Sequence, residues 1–529
     1  MTCEREMREI CVGISGVQMR VHSSFILSYD SKCEMESNEE RNSEETESIT
    51  SGVCGQVENV DTSNELNNCK VLGYGIGHFY NDLCASMWFT YLLLFLEKVI
   101  IMRNSVAGLI MLIGQTTDAL STAFIGVLSD LSSVPFCFRH CGQRKSWHAL
   151  GTVLVTFSFA FIYNKCFICD QLTTDWKLFA WYAPYVIVFQ IGWAAVQISH
   201  LALLPELTYD ESRRTTMNSV RHGFTVVANL IIFAVLSVLL YLDDSGSAVG
   251  PRDLRHFNIV AGMVIVLGLV TGIIFYTVIK EPSRNGHIIV STSLRYQCGI
   301  LDAFKLSLLK WMCRFQFYQV GMLYVLCRLY INISQVYFPF YITHLPNLSK
   351  KYVAILPMAS YCSSLVISSL TSVPFINRRC SLESLALLGC LCGFSNCLVI
   401  QFDAYFPIYI NAVLLGATQA ILLITSLSAV AKLIRQDTGS GAFVYGILSS
   451  MDKISNGIVL QMIELFSPSS CMTRDSAVDC TSFYRMMVVV APISCLLIAF
   501  FVLLSLIISE KWNSLSLSSR DVSEADIWR

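Results

Sequence analysis

Long apolar runs recur along most of the chain and are separated by short polar segments. Twelve such runs lie at 71–96, 105–128, 147–165, 178–204, 217–242, 256–279, 317–342, 351–374, 382–402, 405–431, 440–465 and 483–509. Each run is close to or above the length of ~20 apolar residues that a helix needs to cross a bilayer. The pattern therefore predicts an all-α membrane protein with twelve transmembrane helices, called spans one to twelve.

A polar stretch at 280–316 divides the spans six and six. Such a division is typical of transporters built from two parallel repeats with the solute path between them. We therefore predict an N-terminal half at 71–279, a linker at 280–316, a C-terminal half at 317–509 and a tail at 510–529. Residues 1–70 are polar and acidic, which predicts a disordered N-terminal tail.

Lysine and arginine are more frequent in the connections after even-numbered spans than in those after odd-numbered spans. The former include Arg139, Arg144, Lys145, Arg213, Arg214, Arg378, Arg379, Lys432 and Arg435. Because these residues are enriched in cytosolic loops, we expect both termini and the linker to face the cytosol. The opposite loops contain the pairs Cys166 with Cys169 and Cys471 with Cys480. An oxidising lumen would allow disulfides there, and free thiols are the alternative.

The composition narrows the function classes. Only 14% of the residues are charged, against about 25% in soluble proteins. The formal net charge of −2 argues against a nucleic-acid partner. Because nucleotide loops, metal-spaced histidine clusters and nucleophile motifs are not found in the sequence, we expect neither an enzyme nor a metal or cofactor. We expect a monomer in a lipid bilayer.

Six of the predicted spans carry polar residues at helical spacing. These are Asn81 and Asp82 in span one, Gln115, Asp118 and Thr122 in span two, Gln190 and Gln197 in span four, Arg221, Thr225 and Asn229 in span five, Arg328, Asn332 and Gln335 in span seven, and Asp452, Lys453 and Asn456 in span eleven. A charge near the bilayer centre costs ~2.5–3.5 kcal/mol on insertion scales, so these groups must face one another or water. We therefore predict a common polar cavity that binds a small polar or charged solute.

Charges of both signs leave two interpretations of that cavity open. Arg221 and Lys453 lie in equivalent spans of the two halves and could together hold a substrate carboxylate. The acids Asp82, Asp118 and Asp452 could hold an ammonium group or a proton. Alternatively, the charges neutralise one another and only lock the bundle. Because Asp452 adjoins Lys453 in sequence, the two side chains should point to different neighbours.

The connection after span two carries a recognisable motif. It combines Gly126-Val-Leu-Ser-Asp130 with Gly142-Gln-Arg144-Lys145 and resembles the corresponding loop of the major facilitator superfamily. Pro205-Glu206-Leu207, with Arg213 and Arg221 downstream, resembles the sugar–cation symporter branch of the melibiose-carrier type. This resemblance implies the superfamily fold of two pseudo-symmetric six-helix halves. It also implies a conformational role for Gly126, Asp130, Arg144 and Lys145.

A longer resemblance covers almost all of 73–509. It rests on His78–Tyr91, Gln190–Trp193, Gln197–Leu201, Phe224–Asn229, Ser440–Gly446 and Asp452-Lys453. These runs resemble the major facilitator superfamily domain-containing protein 12 group, which is associated with lysosomes and melanosomes and is needed for cysteine import into their lumen. The resemblance implies an alternating-access cysteine importer. Cys84, Ser86 and Trp88, near the midpoint of span one, are then expected to wall the pocket for the cysteine side chain. A sugar–cation symporter-like carrier and a lipid flippase on the same fold remain the alternatives.

A partial match to the melibiose-carrier branch indicates which coupling ion to expect. The charged positions of that branch match Asp82, Asp118, Arg221 and Lys453. Its sodium site also uses acids at two positions where this chain has Thr122 and Gln197. Hard cations bind best to several oxygens with negative charge. A sodium site is therefore not expected, and a proton on Asp82 or Asp118, or no coupling ion, is expected instead.

Overall fold

The computed structural model describes residues 68–131, 142–169, 173–208, 210–242, 248–281, 311–345, 348–371, 381–402, 407–434, 441–468 and 477–527. The chain divides into two units, one combining Met1–Asn67 with Ile288–Phe315 and the other Asn68–His287 with Gln316–Arg529. Within the first unit the structure describes 311–315. The predicted acidic tail up to residue 67 and most of the linker lie outside the described residues. All contacts below belong to the second unit.

The described residues form twelve long helices and no strand, so the predicted all-α fold is confirmed. The helices are α1 Asn68–Val99, α2 Asn104–Leu131, α3 Gln143–Ile162, α4 Asp175–Leu207, α5 Glu211–Leu242, α6 Leu254–Val278, α7 Phe315–His344, α8 Tyr352–Thr371, α9 Leu382–Gln401, α10 Ile408–Ile434, α11 Gly441–Leu465 and α12 Ala477–Ile527. Each overlaps one predicted span over most of its length, and α12 continues through most of the predicted tail.

Nine of these helices, counted over the described residues, are long and apolar enough to cross a membrane. The other three are α3, α7 and α11, in which charged and amide side chains interrupt the apolar sequence. A polar helix is stable in a membrane only where its polar groups face protein or water. The helices with the weakest hydropathy are therefore those that contribute many of the site residues described below.

The two halves pack against each other mainly through two helix pairs. In the N-terminal half, α4 packs on α2 and α3, and α1 packs on α5 and α6. In the C-terminal half, α10 packs on α8 and α9, and α9 packs on α12. Between the halves, α2 packs on α11 and α5 packs on α8. The face of the bundle where α6 ends and α7 begins is called the linker side, and the face where α1 ends is called the distal side.

The first span is interrupted rather than continuous. Its α-helical segments are Asn68–Ile76 and Phe79–Leu94, and a π-helical turn, Phe95–Val99, completes it. Glycine lacks a side chain and is common where a helix breaks or packs closely. Gly77 lies at the break, where a Cβ would overlap the ring of Phe275 on α6. The break therefore sits in close contact with α6.

At the distal side, side-chain contacts tie the two halves together. They are the ion pair of Lys350 with Asp253 at 3.0 Å, the hydrogen bonds from Asn104 to Ser467 at 2.6 Å, from Gln461 to the Ser105 carbonyl at 3.3 Å and from Tyr91 to the Val353 carbonyl at 3.3 Å, and the stacking of Lys351 over Tyr241 at 4.7 Å. Every one joins a residue before the linker to a residue after it. The distal side is therefore closed in this structure.

Candidate functional site

Two histidines from neighbouring helices stabilise the break in α1. His148 Nε2 lies 3.1 Å from the Gly77 carbonyl oxygen, and His200 Nε2 lies 2.8 Å from the Tyr74 carbonyl oxygen. Because a carbonyl oxygen only accepts, each Nε2 carries the proton. Backbone carbonyls released by a break inside a membrane must be satisfied by the protein. The histidines therefore hold the break open and fix the position of the next residue, His78.

Asp82 lies one helical turn after the break and is almost fully buried. Its Oδ1 is 3.0 Å from His78 Nδ1, and its Oδ2 accepts a hydrogen bond from Thr225 on α5 at 3.0 Å. The neighbouring Asn81 donates to the Trp193 carbonyl on α4 at 3.4 Å. These two predicted site residues therefore link α1, α4 and α5 within the N-terminal half, and both Asp82 oxygens already have a partner.

The residues expected to wall a cysteine pocket pack in the core instead. Cys84 is fully buried. Ser86 donates to Asn229 Oδ1 at 2.7 Å, and Trp88 stacks on Phe189 with ring centroids 5.3 Å apart. Because α1 is enclosed by other helices over most of its length, residues at its midpoint meet protein on nearly every side. The structure therefore gives no support to these three residues as pocket walls.

Asp118 and Lys453 form an ion pair between the two halves. Lys453 Nζ is 2.7 Å from Asp118 Oδ1 and donates to the Thr122 hydroxyl at 2.9 Å. That hydroxyl in turn donates to Asp118 Oδ1 at 3.1 Å. Lys453 is therefore neutralised by α2 and is not a free second cation opposite Arg221, as one of the two interpretations required. Thr122, which replaces an acid of the related sodium site, completes the contact.

The acid next to Lys453 pairs in a different direction. Asp452 Oδ2 is 3.0 Å from Arg328 Nε on α7, and its Oδ1 accepts from Asn332 at 3.5 Å. Gln335, further along α7, donates to Thr90 on α1 at 3.1 Å. The two charges of α11 thus point to different helices, as expected from their adjacency. Charge neutralisation accounts for this part of the predicted site.

Two predicted site residues retain unused polar groups. Arg221, which is half-buried, contacts the Tyr74 hydroxyl, and among the described residues no acid lies within ion-pair distance of it. Asn456 is 1% exposed, and within the described part of the chain neither atom of its amide has a hydrogen-bond partner. Gln197 accepts a hydrogen bond from Trp193 at 3.1 Å. Arg221, which is partly exposed, and Asn456, which is enclosed by protein in this conformation, are therefore the two predicted site residues with polar groups left for a solute.

The motif after span two forms a charged network on the linker side. Arg144 Nε is 3.1 Å from Glu206 on α4, and Lys145 Nζ donates to the Ile279 carbonyl at 2.6 Å. The Glu281 carboxylate accepts the backbone N–H groups of Gln143, Arg144 and Lys145 at 2.8–3.0 Å. An acid is favourable at a helix N-terminus because it meets the positive end of the dipole. The start of α3 is thereby fixed to α4 and to the end of α6.

The motif also includes Gly126 and Asp130, which both lie in α2. Gly126 lies in α2, and a Cβ there would meet nothing within 4 Å. Asp130 is helical, but its side chain lies outside the described residues.

Among the predicted cysteine pairs, Cys166 and Cys169 are joined by a disulfide on the distal side. Cys480 is also disulfide-bonded, whereas Cys471 lies outside the described residues.

Sequence reasoning missed a buried pair of acids at the distal side. Glu97, at the end of α1, and Glu464, at the end of α11, are 3% and 1% exposed. Acids at the ends of membrane helices usually reach water. The burial of these two glutamates could therefore not be predicted from either residue alone. The available signal was their position, because spans one and eleven are predicted to end on the same side. Among the described residues, no group of three or more His, Cys, Asp or Glu could hold a metal ion.

Comparison with known proteins gives consistent results. A family model described as "MFS/sugar transport protein" matches residues 73–509. The mouse and human proteins named "Major facilitator superfamily domain-containing protein 12" are 38% and 37% identical over 426 and 428 residues, each match covering 78% of this chain and 88% of the relative. The inward-open xylose transporter of E. coli is similar in fold, with a TM-score of 0.54 at 13% identity, covering 80% of this chain and 94% of that chain.

Proposed function

Because this chain belongs to the family of MFS/sugar transport proteins, and is thus a multi-pass membrane transporter, we propose that its solute is cysteine, carried into the lysosomal or melanosomal lumen. The proposal takes the cysteine from the resemblance to the protein 12 group. It takes the mode of binding from the contacts of Arg221. Cysteine crosses as a zwitterion, so its site requires a group for each charge.

The single observation that carries the proposal is that Arg221 lacks an acid partner among the described residues. Asp118, Asp452 and Asp82 each have a cationic or histidine partner, whereas Arg221 has no acid partner among the described residues. A guanidinium binds a carboxylate through two parallel hydrogen bonds. Arg221 therefore binds the carboxylate of the amino acid, and the unused carbonyl oxygen of Asn456 is suited to accept from its ammonium group.

Sodium coupling at Asp118 is not part of the proposal. Lys453 Nζ lies against Asp118 and Thr122, so the oxygens that a sodium ion would need already contact a cation. A sodium site generally needs several oxygen ligands with negative charge. The expected coupling ion is a proton, or there is none.

Two observations support the distal side as the lumenal side. The connections on the linker side are richer in lysine and arginine, which is typical of cytosolic loops. The disulfide of Cys166 with Cys169 lies in the α3–α4 connection, on the distal side, and disulfides persist in oxidising compartments. Both support cytosolic termini, and we expect a tag at either end to be accessible without breaking the organelle.

The test is accumulation of labelled cysteine, kept reduced, in organelles with and without the protein, beside cystine, serine and xylose. We expect cysteine uptake to depend on the protein and to be lost in Arg221→Gln at unchanged abundance. Arg103→Gln, which changes an exposed arginine on the distal side, is the matched control and should transport normally. Equal cysteine uptake in both kinds of organelle overturns the proposal, and protein-dependent xylose uptake would assign the chain a sugar instead.

A further inference from the structure

The two buried glutamates at the distal side belong to different halves and are neighbours. Glu97 is in the π-helical turn that ends α1, and Glu464 is in the last turn of α11. The two carboxyl groups are close neighbours, and each has one buried oxygen without a hydrogen-bond donor among the described residues. An ionised carboxyl group has only acceptors, so a hydrogen bond between two of them requires a proton on one. Two buried carboxyl groups placed as neighbours are therefore stable when one of them carries a proton.

The hydrogen bonds around the pair leave room for that proton. Tyr337 on α7 donates to Glu464 Oε1 at 2.6 Å, and Tyr484 on α12 donates to Glu97 Oε2 at 3.3 Å. The remaining oxygens, Glu97 Oε1 and Glu464 Oε2, are buried and have no donor among the described residues. A buried acceptor without a donor is costly. One proton shared between these two oxygens satisfies both.

The charges that border the pair favour a single proton. Lys98 lies over the rings of Phe340 and Tyr484, at 5.8 and 5.3 Å from their centroids. His344, whose ring centroid is 4.6 Å from that of Tyr484, donates from Nδ1 to the Phe340 carbonyl at 2.8 Å. With one proton, the two glutamates carry one negative charge, which the positive charge of Lys98 balances. With none, they would carry two negative charges in a buried site, which is strongly unfavourable.

We propose that Glu97 and Glu464 form a proton-binding site that holds the distal side closed. One shared proton joins α1 to α11. When the proton leaves to water on the distal side, the two carboxylates repel each other and the halves separate there. The inference rests on the transporter function proposed above and adds the coupling site to it. An acidic distal compartment then favours the closed state, so that the protein rests open toward the linker side.

This site replaces the acids that the sequence suggested for a proton. Asp82 already has His78 and Thr225 as partners, and Asp118 already has Lys453. A proton on Asp118 would remove the charge that pairs with Lys453, and Asp82 already shares a proton with His78. At the distal pair, a proton instead completes two unsatisfied oxygens. The position also suits coupling, because the pair lies where the halves must part for the distal side to open.

The test uses hydrogen–deuterium exchange of the purified full-length protein in detergent, without solute, at a series of pH values. Exchange is corrected for its intrinsic pH dependence and followed in 97–105 and 461–468. In the wild type, opening of these segments should increase with pH, by up to about tenfold per pH unit, because one proton is released on opening. In Glu464→Gln the amide donates to Glu97 in place of the proton, so the segments should stay protected at every pH. Glu383→Gln, at a partly exposed acid at the start of α9 on the linker side, should behave as the wild type.

The outcomes separate this proposal from the proposed function. Protection that does not change with pH in the wild type, or a wild-type pH profile in Glu464→Gln, overturns the proton site even if cysteine is transported. A pH-dependent opening that Glu464→Gln abolishes supports it even if cysteine is not the solute, because no solute is present. Should Glu464→Gln fold poorly, Glu97→Gln and the wild-type profile decide the question in the same way.

Discussion

The two halves meet at two buried junctions of opposite chemistry. At the centre, Asp118 and Lys453 carry opposite charges and lie 2.7 Å apart. At the distal side, Glu97 and Glu464 are both buried acids, and the proposed proton between them satisfies one unpartnered oxygen on each. An ion pair needs no proton to be stable, whereas two acids do. The central junction is therefore permanent in this conformation, and the distal junction depends on the proton concentration around it.

The largest expected effect comes from breaking the central junction. Asp118→Asn leaves Lys453, whose side chain is only 15% exposed, without its counter-ion, and removing one partner of a buried pair typically costs ~3–5 kcal/mol. We expect a large decrease in the thermal stability of the purified protein and loss of transport. The double variant Asp118→Asn with Lys453→Met removes both charges and should recover much of the stability. Equal destabilisation in the single and double variants would show that the two residues are not coupled.

A smaller effect is expected when the distal junction loses one donor. Tyr337→Phe removes the 2.6 Å hydrogen bond to Glu464 and leaves that oxygen buried without a partner. Loss of a hydrogen bond to a charged group costs ~1.5–3 kcal/mol. Thermal unfolding should occur at a lower temperature than in Tyr318→Phe, where the altered tyrosine is exposed. Identical unfolding of both variants would contradict the hydrogen bond as an energetic contributor.

Packing behind the distal junction can be tested in the same way. Gly108 on α2 faces α11, and a Cβ there would lie 2.8 Å from Glu464 Cβ and 2.7 Å from Gln461 Oε1. Gly108→Ala should therefore push α2 from α11 at a cost of ~1–3 kcal/mol, as is usual for overpacking. Gly126→Ala, where a Cβ meets nothing within 4 Å, is the control on the same helix. The prediction fails if both variants unfold at the wild-type temperature.

The smallest effect is expected at an exposed ion pair. Lys432 and Glu383 lie 3.3 Å apart, and the lysine side chain is 53% exposed. Exposed pairs contribute only ~0–1 kcal/mol because water screens both charges. Lys432→Met should therefore change neither transport nor thermal stability measurably. A loss comparable with that of Asp118→Asn would mean that burial does not explain the difference between the junctions.

The number and position of the helices were determined by the sequence itself. Each predicted span lies within a few residues of a helix, apart from the extension of α12 to Ile527. A membrane span is a local property, because it requires only a sufficiently long apolar run. The same locality made the family recognisable, since its motifs are continuous stretches such as Gly126–Asp130. The requirement that the charges in spans two, five, seven and eleven meet partners or water was also predictable from their cost in lipid.

The partner of each charge was decided only by the tertiary structure. Lys453 could have faced Arg221 or Asp118, which lie 232 and 335 positions away, and only the packing of α2 on α11 selects the second. Glu97 and Glu464, 367 positions apart, gave no sign of meeting because burial at a helix end depends on what packs there. The cost of a charge in a membrane dictates that it finds a partner. Which partner it finds depends on distances between helices, which local sequence does not contain.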